Sequence, residues 1–137
     1  MDYVAEALNI GDLYQQIARQ MSSFLQWYIR QPNPDKVFVG HFVDDQSRIL
    51  SYSNTFYSLA DKIAFADDEV YFAKVDLATA VINDNIKTIH TTDKWINFAG
   101  AVISLGASIA TGSGSGILAS VETILATFNV SISSASS

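Results

Sequence analysis

The chain has 137 residues, 49% apolar and 16% charged, with a formal net charge of -6. That length suits one domain with a real core, and its charged fraction lies below the usual ~25%, as if part of the surface were covered by a partner, a second copy or lipid. The acidity, with eight basic residues scattered singly, excludes ordinary nucleic-acid binding, because phosphate contacts need clustered Lys and Arg.

A short helical piece over residues 2–9 opens the chain, and Gly11 separates it from a clear helix over 12–30. In that helix Leu13, Tyr14, Ile17, Met21, Phe24, Leu25 and Tyr28 recur at three and four, on one face at 3.6 residues per turn. Asp12 and Gln15 have the spacing of a capping box. Gln31-Pro32-Asn33-Pro34-Asp35 then ends the helix, since proline removes donors and extends the residue before it.

The next run, KVFVGHFV–DDQSR–ILSYS, reads as two β-rich segments around a polar loop, a hairpin of residues 36–43 and 49–53. Val37, Val39, His41 and Val43 would point one way and Phe38, Gly40 and Phe42 the other, so helices should cover the strand. Gly40 would mark a bulge or a close neighbour. Two helices follow, over 55–65 and 67–90. The acids Asp67, Asp68 and Glu69 sit where the positive end of the second favours them. Its stripe is Tyr71, Val75, Ala78, Ile82, Ile86 and Ile89, and Thr91, Thr92 and Asp93 offer caps for a helix over 94–111. A GSGSG turn leads to a last helix over 117–128 and a Ser-rich tail. The expected fold is α+β: a mainly helical domain over 1–130, about four to five helices with one small β-hairpin near 36–53, and a flexible tail over 131–137.

After Lys94 the only charge is Glu122, so membrane entry has to be weighed. The two C-terminal helices would reach about 27 Å and about 18 Å, both short of a ~30 Å hydrocarbon core. Both are also two-sided, as helices of a protein core are, whereas a lipid-facing helix is apolar all round. Trp95, Ile96, Phe98, Val102, Ile103, Leu105 and Ile109 fill one half of the first. The other half carries only small uncharged groups, which let backbones approach closely. Asn97, Gly100, Ala101, Ser104, Ala107 and Ser108 are therefore the expected interface, packing against another helix of this chain, of a second copy or of a partner.

Signatures of chemistry are sparse. There is no cysteine, which excludes disulfides and thiolate metal sites. Gly114-Ser115-Gly116-Ile117-Leu118-Ala119 formally matches a dinucleotide fingerprint, but the following βα unit has no room. His41 near Asp44 and Asp45 is the one pair suited to acid–base work, and a packed strand histidine explains it more simply. No catalytic residue, metal or cofactor is expected. The N-terminus MDYVAEALNIGD carries acids where an export signal needs positive charge, so a cytoplasmic setting is expected. The function implied is non-enzymatic: a small acidic protein-binding or self-associating (oligomer-forming) domain, an inhibitor or immunity-type protein being one form of it. The alternative is a membrane-active protein inserting residues 94–128.

Overall fold

The computed structural model describes residues 3–58 and 69–129. They form α1 (Tyr3–Tyr28), α2 (Lys36–Ser58), α3 (Glu69–Asn85), α4 (Thr92–Thr111) and α5 (Gly114–Thr127), with a 3-10 turn, Ile86–Thr88, after α3. Among the described residues there is no strand, so the class is all-α and the expected hairpin near 36–53 is overturned. The expected tail over 131–137, residues 59–65 of the expected helix 55–65, and the acids Asp67 and Asp68 lie outside the described residues.

The hairpin residues are helical for two reasons. Asp35, just after Pro34, caps the helix start: its Oδ1 accepts from the Val37 amide at 2.9 Å and the Phe38 amide at 3.4 Å. The second reason is burial. Phe38, Phe42, Asp45, Ile49, Ser53 and Phe56 recur at three and four and are the buried residues of α2. Tertiary burial of that stripe outweighs the strand preference of Val37, Val39 and Val43, of which Val37 and Val43 are left exposed. Asp44 and Asp45, expected in a hairpin loop, stand mid-helix.

Gly11 does not break α1, which runs through it. A Cβ there would come within 2.7 Å of the Tyr57 ring, so the glycine is a contact point between α1 and α2. Asp12 likewise caps nothing; its carboxylate accepts a hydrogen bond from the Tyr57 hydroxyl. Farther along, Leu13, Tyr14, Ile17 and Met21 are buried, and Phe24, Leu25 and Tyr28 pack at the core's edge.

The helices follow one another around the core as α1, α2, α4, α5 and α3. Thr91 caps α4, accepting from the Lys94 amide at 3.2 Å. Gly112, with φ of 71°, closes α4 in the left-handed conformation that glycine adopts freely, and Ser113 at once caps α5. The GSGSG segment is thus a two-residue reversal followed by the first turn of α5, which makes α4 and α5 a tight helical hairpin. Trp95, Phe98, Val102, Leu105 and Ile109 of α4 and Ile117, Val121, Ile124 and Leu125 of α5 are buried. Phe42 of α2 meets Trp95 of α4 edge to face, and Trp95 in turn meets Phe98, in an aromatic chain. No helix among the described residues is long and apolar enough to cross a membrane.

Candidate functional site

The residues expected to form an interface lie on α4 of the α4–α5 hairpin. Of the six residues, Asn97, Gly100 and Ser104 are exposed, Ala107 and Ser108 are half-buried, and Ala101 is buried. Gly100, Ala101 and Ser104 line an open groove of about 450 Å³, whose other wall is Ala119, Ser120 and Thr123 of α5. No side chain in it is charged or bulky. Ser108 lies toward the closed end of the hairpin: its hydroxyl occupies the space where a Cβ on Gly116 would project, and it donates to the Ser104 carbonyl at 2.9 Å. The small-residue face is therefore used twice. Near Ser108 it lets α5 approach α4, and near Gly100 the two helices leave a gap. Asn97 and Ala107 are not among the groove's walls. The α5 wall of Ala119, Ser120 and Thr123 is not among the residues expected from the sequence.

A second cavity, of about 310 Å³, lies between the C-terminal half of α1, the 3-10 turn and the start of α4. Its apolar walls are Phe24, Trp27, Ile86, Ile89 and Trp95; its polar walls are Gln20, Ser23, Lys87 and His90. Trp95 is 2% exposed, and its indole N–H finds no acceptor among the described residues. A buried donor left unpaired costs about 1–3 kcal/mol. The helical stripes do not reveal this cavity, because Trp27 falls at the edge of one and His90 falls off another.

Two titratable clusters lie elsewhere on the molecule. His41 and Asp45 are one turn apart on α2, Nε2 to Oδ2 3.4 Å, with the imidazole exposed and the carboxyl largely buried. Burial pushes the Asp45 carboxyl upward, against smaller opposing pulls from His41 and Arg48. The neighbouring Asp44 charge adds a small upward push on Asp45. On the other side, Glu6 of α1 and Asp76 of α3 meet across a cleft that Asp12 also lines. Burial, the hydrogen bond to Asp76 and the Asp76 charge push the Glu6 carboxyl up to about 8, so the pair holds on to a proton well above the ordinary carboxylate range. Among the described residues no group of three or more His, Asp or Glu is placed to hold a metal ion.

Comparison with known proteins adds no identity: no protein-family model, no curated protein and no solved structure matches the chain.

Proposed function

We propose that this protein acts by association rather than catalysis, and that the outer face of α4 and α5 binds a second copy of the chain. One observation carries this reading: the groove between Gly100, Ala101 and Ser104 on one side and Ala119, Ser120 and Thr123 on the other holds no charge and no large side chain. An ordinary solvent-facing helix presents Lys and Glu, whereas the exposed side of this hairpin between Lys94 and Asn129 carries only Glu122. Two chains of net charge -6 repel each other broadly, and this face is where the repulsion is weakest. A face of small uncharged residues lets two backbones approach closely, and a two-fold axis through it would bring the same face of each copy together. The inhibitor or immunity-type form of the reading would instead seat a basic partner, and its support is the acidity alone. A cytoplasmic setting belongs to the same proposal.

Sedimentation or light scattering over a concentration series tests it. Wild type should be dimeric, and Ser104→Glu, which places a charge in the groove at an exposed position, should be monomeric with its helical circular dichroism retained. A wild type that stays monomeric at several hundred micromolar, or a Ser104→Glu dimer as tight as wild type, overturns it.

A further inference from the structure

We propose that the cavity between α1, the 3-10 turn and α4 is a binding site for a small apolar carboxylate, its ring or short chain lying against Phe24, Trp27 and Trp95 and its carboxylate facing Lys87 and His90. Size is the first argument. A volume of about 310 Å³ suits a small molecule, at the lower end of the range for such sites, and is too small for a docked helix. Chemistry is the second. Predominantly aromatic and aliphatic walls with a few convergent polar groups are what small-molecule sites present. In a chain whose acids outnumber its bases by 14 to 8, this cavity is lined by Lys87 and His90 and by no carboxylate. The charge that the walls attract is therefore negative.

Trp95 points to a ligand independently of charge. Trp95 is almost wholly buried, yet its indole N–H is unpartnered, whereas a buried indole usually finds an acceptor. Because Trp95 is one of the cavity's walls, a ligand acceptor that reaches this N–H would relieve that cost. The cavity shares no wall with the α4–α5 groove, so the proposal does not depend on how the chain associates.

Trp27 and Trp95 are the only tryptophans, and both line the cavity, so intrinsic fluorescence excited near 295 nm reports occupancy directly. The probe is 4-phenylbutyrate at pH 7, with 4-phenylbutanol as its uncharged counterpart. Expected are a saturable change with the acid, binding at least tenfold weaker with the alcohol, and a loss of most of that difference in the double variant Lys87→Met, His90→Gln. Both of those side chains are exposed, so the double variant should fold. Trp27→Ala should weaken both probes while Trp95 still reports. No saturable change up to 10 mM acid, equal binding of acid and alcohol, or a double variant that binds like wild type each overturns the proposal.

Discussion

The Tyr14 hydroxyl donates to the Val102 carbonyl at 2.6 Å, joining the middle of α1 to the middle of α4 across 88 positions of sequence. Tyr14 is fully buried, its ring edge-on to Phe56 at 5.2 Å, so the bond forms where water does not compete. Burial pushes its phenol well above the ordinary tyrosine range. Tyr14→Phe removes the donor alone. The Val102 carbonyl keeps its helical partner one turn on, so the loss should be about 1 kcal/mol rather than a full desolvation penalty. Tyr14→Ala also empties the ring's volume and should cost about 3–5 kcal/mol. Urea unfolding of both variants checks this, and a Tyr14→Phe variant as stable as wild type would show that the bond contributes nothing.

Two glycines should respond to alanine with opposite signs. At Gly40, exposed in α2, a Cβ meets nothing within 4 Å, so Gly40→Ala should stabilise by up to about 1 kcal/mol through helix propensity. At Gly106 the same Cβ lies 2.9 Å from Tyr52 Cγ and 3.1 Å from Tyr14 Cε2. Tyr14 is pinned by its bond to Val102, so overpacking of about 1–3 kcal/mol should outweigh the propensity gain. Melting temperatures of the two variants should therefore move in opposite directions. A loss at Gly40 would argue against a helix through that residue.

That contrast shows where sequence reasoning reached and where it stopped. The 3.6-residue stripes of α1, α4 and α5 were legible because each places bulky apolar residues on one side of a long segment. In α2 the same spacing was present in Phe38, Phe42, Ile49 and Phe56, but two of its stations are polar, Asp45 and Ser53, and the local run of valines reads more strongly as strand. Asp35 after Pro34 was the available signal of a helix start. Gly11 was misleading for a different reason: it is required by the Tyr57 ring, a contact 46 positions away that no local pattern encodes. The groove was half legible. The α4 wall followed from the lack of charge on that face, whereas the gap between the helices depends on how far Gly116 lets α5 approach.

The Glu6–Asp76 pair should make stability fall as pH rises. The positive end of α1 should favour an ionised Glu6, but burial and the neighbouring Asp76 carboxylate outweigh it and push the group from 4.5 up to about 8. Between those limits the folded chain holds a proton that the unfolded chain has released, so the slope of stability against pH is negative. The pair's contribution is complete below about pH 4.5, is lost through about pH 8 and is flat above. The raised Asp45 carboxyl tilts the acidic end of the curve the same way. Glu6→Gln keeps a donor for Asp76 without the titration. Its melting temperature should match wild type near pH 5, exceed it at pH 8.5, and vary less in between. Thermal melts by circular dichroism across that range check the prediction; a wild-type curve that rises from pH 5 to 8, or a variant with the same slope as wild type, would show that Glu6 does not keep its proton in the folded chain.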